Sequence, residues 1–281
     1  MDDIRVSSWN ELNDHLYANS WQERLGRFRS TFAFRGMADA RFDLTTSLSR
    51  LGGHSSDVEG AILRAFQRYA YAQQTPGGGS VWNWLALAQH HGLPTRLLDW
   101  SYSPLVGMHF ATEDVDLFDR DGVIWMVDFA RTNRLLPEEL RRLLQEADSY
   151  VFTADVLTRA ASSLQEFDEL SRTNVAVFLE PPSLDDRIVN QYALFSLLTD
   201  PQQSFHHWLE LHPDMYRRVI IPAELKWEVR DKLDQANITE RVLYPGLDGL
   251  SRWLKRYYWT RARHESAPEL VQDELGVRRA T

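Results

Sequence analysis

The chain has 281 residues, 43% of them hydrophobic and 25% charged, and contains no cysteine. That is an ordinary globular composition, and the missing thiols exclude disulfides, thiolate catalysis, Cys-ligated zinc and iron–sulfur clusters. With 40 acidic against 31 basic residues the net charge is −9, which weighs against broad, non-specific binding of nucleic acid.

The N-terminal segment MDDIRVSSWNELNDHL is acidic and lacks an apolar h-region. No apolar run reaches the ~18 residues of a membrane span, so the expected location is cytoplasmic, with no membrane partner. Ser8 with Glu11 fits a Ser-x-x-Glu capping box, and so does Ser56 with Glu59, which is followed at helical spacing by Ile62, Phe66 and Tyr69. A strand is expected between these helices at 31–36, and TPGGGS at 75–80 reads as a loop. The next helix ends at Gly92 in a left-handed cap; a strand at 95–100 follows, and Ser103-Pro104 starts another helix. Further strands are expected at 122–129, 174–180, 193–198 and 216–221, with Pro137 and Pro222 opening helices. Helices and strands alternate irregularly, which favours α+β over a doubly wound parallel sheet. One domain is expected over 1–281, with a helical lead-in at 1–29, a core at 30–257 and a tail at 258–281.

Several chemistries find no motif. There is no Gly-x-Gly-x-x-Gly after a strand, no Gly-Lys-Ser/Thr phosphate loop, no His-Glu-x-x-His and no Gly-x-Ser-x-Gly. His90 with His91, and His206, His207 and His212, match no ligand spacing tied to a metal mechanism, so no metal is expected.

Three segments carry information. In FAFRG (32–36), strand alternation sends Phe32 and Phe34 to one face and Arg35 to the other. Arg35 can there clamp a phosphate or carboxylate, or pair with a nearby acid, and Gly36 admits a ligand or a second backbone. In QHHGLPTRLLDWSYSPLVGMHFA (89–111), Gln89, His90, Thr95, Arg96, Asp99, Trp100 and Ser101 crowd one helix–strand–helix unit. Such polar groups either satisfy one another, for instance as an Arg96–Asp99 pair, or address a ligand. In DRIVNQYALFSLL (186–198), Arg187 and Gln191 lie four apart, and Gln191 precedes a strand, positioned for a cleft or for a structural amide bond. Separately, SRWLKRYYWTRARH (251–264) interleaves Arg252, Lys255, Arg256, Arg261 and Arg263 with aromatics. It suits a single nucleic-acid strand, or is an amphipathic helix with Trp253, Leu254 and Tyr257 inward.

These segments resemble the FRG-domain family. The Phe-Arg-Gly tripeptide stands at 34–36, and a Gln-His-x-Gly-x-Pro-Thr-Arg-Leu-Leu-Asp-Trp run at 89–100 leads to a helix ending in Phe-Ala at 110–111. An Arg-Ile…Gln-x-x-x-Phe element lies at 187–195, and an Ile-Thr-x-x-x-Leu-[Phe/Tyr]-Pro-x-Leu-Asp-Gly-Leu run at 238–250, so the likeness spans about 30–257. The core segments are in turn similar to the three-part signature of ADP-ribosyltransferases, with Asp99-Trp100-Ser101 where hydroxyls are usual and Gln191 or Ala193 near the place of a Glu.

The resemblance implies an α+β fold with an ADP-ribosyltransferase-like split mixed β-sheet and helical insertions. It implies NAD as substrate, with ADP-ribose passed to a macromolecular acceptor, protein or RNA/DNA. The protein would then be a toxin or phage-defence effector, with an antitoxin or regulator as partner. Arg35, His90, Asp99 and Gln191 become the catalytic candidates. Arg35, Gly36, Thr95, Arg96, Trp100, Ser101 and Tyr102 become the NAD-binding ones, with Trp100 or Tyr102 stacking on nicotinamide. Arg252, Lys255 and Arg256 become acceptor contacts. Two other readings remain open: an inactive nucleotide-sensing or interaction module, and a nuclease or hydrolase using His90 and Asp99.

Overall fold

The computed structural model describes residues 3–52, 55–70 and 79–259. Most of the loop expected at 75–80 lies outside them, as do Arg261, Arg263 and the tail from residue 260. The strands are β1 (Ile4–Arg5), β2 (Trp21–Gln22), β3 (Arg27–Phe28), β4 (Phe32–Met37), β5 (Leu98–Ser101), β6 (Gly122–Asp128), β7 (Phe152–Thr153), β8 (Ala176–Glu180), β9 (Ala193–Leu198) and β10 (Tyr216–Ile221). Strands β2 and β3 form a small hairpin, and the other eight form one sheet in the order β1-β10-β6-β4-β5-β9-β8-β7. The sheet is mixed: β1 runs parallel to β10 and β7 to β8, and every other pairing is antiparallel.

Helix starts follow the capping chemistry. In α1 (Trp9–Tyr17) Ser8 accepts the Glu11 amide, while Glu11 reaches back to Ser7 rather than Ser8. Helix α2 (Ser55–Tyr69) contains Glu59, which is buried against Arg96; the Ser56 side chain of the expected capping box lies outside the described residues. Ser80 caps α3 (Val81–His90), which ends with Gly92 at φ +80°. Ser103 caps α4 (Pro104–Ala111), with Pro104 at its first position. Asp128 ends β6 by capping the following short helix, so Phe129 is helical rather than the last strand residue.

Register shows how the core is divided. Phe34 opposes Ser101, and Ser101 opposes Ala193, so these three residues share a face. On that face the core is in two parts. Around Phe32 and Phe34 it is closed by α1, α4 and the helix Lys226–Gln235, through Leu12, Met108 and Val229. Around Phe195 and Leu197 it is closed by α3, through Trp82 and Leu85. On the opposite face a single cluster runs under both halves, joining Ala33 and Trp125 to Trp100, Leu194 and Phe178. Among the described residues no helix is long and apolar enough to cross a membrane.

Candidate functional site

The gap between the two upper clusters falls where β4 meets β5. Those strands share a single register pair, Phe34 with Ser101, whereas β4 follows β6 over its whole length. Residues 95–97, expected at the start of β5, stay off the ladder because their polar groups are bound elsewhere: the Thr95 and Arg96 amides donate to Ser47 Oγ and Glu59 Oε1. The resulting cavity has a volume of about 450 Å³ and is lined by Arg35, Gln89, His90, Asp99, Gln191 and residues of α4 and its C-terminal end. That volume is within the usual range for small-ligand sites.

Arg35 stands in the gap. Its Nη1 donates to the Asp99 carbonyl at 2.6 Å and lies 3.8 Å from Asp99 Oδ2, while its buried Nε has no hydrogen-bond partner among the described residues. Burial lowers the guanidinium's pKa against the pull of Asp99. Asp99 is held from the other side: Gln89 Nε2 donates to both carboxylate oxygens, at 3.1 and 2.9 Å, and Gln89 Oε1 accepts the Thr95 hydroxyl at 2.5 Å. The chain Thr95–Gln89–Asp99 therefore fixes a carboxylate that is still 60% exposed to the cavity. Such bracing of a polar group by a hydrogen-bonded neighbour, itself held by the fully buried Thr95, is how sites are pre-organised.

His90 lines the same space, and its Nε2 lies 2.5 Å from Asp185 Oδ2. Burial lowers its pKa, and Asp185 opposes that shift. Asp185 also caps the helix Asp186–Asn190, so His90 ties α3 to that helix rather than to Asp99.

Of the other expected site residues, Gly36, Trp100 and Ser101 also border the cavity. Gly36 admits a second backbone: a Cβ there would lie 1.8 Å from Gly107 O in α4. Thr95 is fully buried and acts on Gln89. Arg96 does not pair with Asp99; it is buried in an ion pair with Glu59 and Asp168, away from the cavity. The Trp100 indole lies in the lower core, packed on Phe178 and Phe205 with Nε1 on Ser196 Oγ at 2.8 Å, and is not available to stack on a ligand. Ser101 is buried and joins β5 to the Gln191 carbonyl. Tyr102 lies outside the cavity; it packs on Phe129 and Tyr192 and borders a separate one with Glu180. Gln191 lines the wall, but its amide donates to the Leu243 carbonyl at 3.0 Å, the structural use its position also allowed.

In the helix Leu247–Tyr257, Arg256 is buried and forked between Glu240 and Asp234, so it is no acceptor contact. Arg252 lies over the Tyr244 ring and Lys255 is exposed, as are Leu254 and Tyr257, which were expected inward.

Three cavity residues were given no site role by the sequence, although Arg187 was noted four residues before Gln191. Arg187 Cζ lies 5.0 Å from the centroid of the Tyr244 ring, and its Nε is buried without a partner among the described residues. Tyr244 lies in the matched Leu-Tyr-Pro run, a signal that gave no role. Glu113 follows α4 with its carboxylate one-third exposed, and one glutamate among many acids carries no spacing that would mark it.

The model of the FRG domain matches residues 30–120. That stretch holds Arg35, His90, Asp99 and Glu113, while the wall made by Arg187, Gln191 and Tyr244 lies beyond it. No curated protein and no solved structure matches the chain.

Proposed function

We propose that this protein binds NAD in the β4–β5 cavity and transfers ADP-ribose to a macromolecular acceptor, as an ADP-ribosyltransferase-like effector of the toxin or phage-defence kind. The observation that carries this reading is the pair at the mouth of the split: a guanidinium with an unpartnered buried Nε, facing a braced and exposed carboxylate. Cleaving the nicotinamide–ribose bond builds oxocarbenium-like positive charge on the sugar. A fixed carboxylate stabilises that charge without reorganising, and a planar guanidinium suits a pyrophosphate. Asp99 has the first role and Arg35 the second. Gln191, being neutral and bonded to Leu243, helps hold the wall. The rings lining the cavity at Phe42, Phe110 and Tyr244 take the stacking role in place of Trp100 and Tyr102.

A hydrolase built on His90 and Asp99 has less support, because each is bonded to its own partner and not to the other. A nucleotide-sensing module is the second reading, favoured by Arg35 already being bonded to the Asp99 carbonyl of β5. Incubating the protein with labelled NAD and a cell lysate separates the two. The transferase reading expects released nicotinamide and label on a macromolecule, assigned to protein or nucleic acid by protease and nuclease treatment. NAD binding with neither product would overturn it in favour of the sensing module.

A further inference from the structure

Arg230, in the helix Lys226–Gln235, and His109, in α4, are both fully buried, with Arg230 Nη1 2.9 Å from His109 Nδ1. A guanidinium can only donate, so Nδ1 is the acceptor and the neutral ring carries its proton on Nε2. Burial, with the Arg230 charge beside it, keeps His109 below the usual histidine range against the pull of Glu113 and Glu240. Its Nε2 is therefore a buried donor. Among the described residues it has no aligned partner, and a carboxylate oxygen, Glu113 Oε2, lies 3.4 Å away. The Tyr244 hydroxyl lies 3.4 Å from the same oxygen. Buried donors are almost always matched, so an unmatched one beside a cavity carboxylate calls for an explanation. Contacts of this kind are often long in a free site and tighten when substrate is bound.

We propose that Glu113 is the proton acceptor of the transfer step, oriented by a buried His109–Arg230 pair; this rests on the NAD reading above. The acceptor's oxygen or nitrogen forms a bond to ribose C1 as the C1–nicotinamide bond breaks. The electron pair of that bond leaves with nicotinamide, which becomes neutral, and the acceptor's proton passes to the Glu113 carboxylate and then to water. Asp99 suits this role less, because both of its oxygens already accept from Gln89. His109 and Arg230 are positioning residues: they set the carboxylate's orientation.

The test uses the full chain, NAD and a lysate acceptor. In Glu113→Gln, NAD affinity by calorimetry should stay close to wild type while the transfer rate falls about a hundredfold or more. In Glu113→Ala, added formate should restore part of the rate, which a purely structural glutamate would not allow. In His109→Ala the transfer rate should fall while NAD affinity is kept, and His109→Gln, whose amide can still donate toward Glu113, should recover part of that rate; Tyr244, Arg230 and Glu240 are the other groups facing this pair. Wild-type transfer by Glu113→Gln would overturn the assignment alone. A wild-type chain that neither binds nor turns over NAD would overturn the NAD reading and this proposal with it.

Discussion

The two edges of β4 make different structures from one strand. Along β6, register holds from Phe32 opposite Asp128 to Met37 opposite Val123, and the side chains between, Trp125 and Val127 among them, are buried in the core. Along β5, register holds at one pair, and the space beyond is polar, open and braced by side chains. A continuous ladder satisfies backbone groups cooperatively and lets apolar residues close over it. Where the ladder stops, an Asp99 carbonyl takes its hydrogen bond from Arg35 instead of a neighbouring strand. The first edge should therefore govern stability and the second ligand binding, and substitutions can separate them.

The largest effect is expected at the closed edge. Trp125→Ala removes a fully buried indole and should cost about 4 kcal/mol in urea unfolding. Gly36→Ala, whose methyl would collide with the α4 backbone, should cost roughly 3 kcal/mol and lower the amount of folded protein. Neither effect should depend on NAD. At the open edge, Gln89→Ala should cost only about 1 kcal/mol of stability, yet weaken NAD binding roughly tenfold by releasing Asp99. A Gln89→Ala protein as unstable as Trp125→Ala would erase the distinction.

The smallest effect is in pH. His90 and His109 both have lowered pKa values in the fold. Between their folded values and the ordinary value of about 6.5 the unfolded chain binds more protons, so their contribution is present above that value and is lost as pH falls below it. The urea midpoint should decline over that window, and more gently in His109→Gln.

What the sequence revealed, and what it did not, follows the same division. Strands of five or six residues with alternating or continuous apolar character, such as Ala193–Leu198 and Tyr216–Ile221, were readable from pattern alone. The two-residue strands β1, β2, β3 and β7 were not, since two positions show no period. Arg35, His90, Asp99 and Gln191 all line the cavity, because motif density pointed to the right segments. Their partners were hidden. That Arg96 meets Glu59 and Asp168, that Trp100 turns down into the core, and that Tyr102 faces away are facts of long-range packing. No spacing within 89–102 encodes them. Gly36 was legible as a close approach, but which backbone approaches depended on the path of α4.

The open edge of β4 is the proposed anion-binding site for NAD. Calorimetric titration of NAD into wild type, Arg35→Lys and Arg35→Ala, compared at matched thermal stability, tests it most directly. Binding should be measurable in wild type and lost in Arg35→Ala, and Arg35→Lys should be impaired nearly as much, since a point charge cannot reproduce a planar fork. Wild-type affinity in Arg35→Ala would contradict the claim and leave Arg35 as a bridge between two strands.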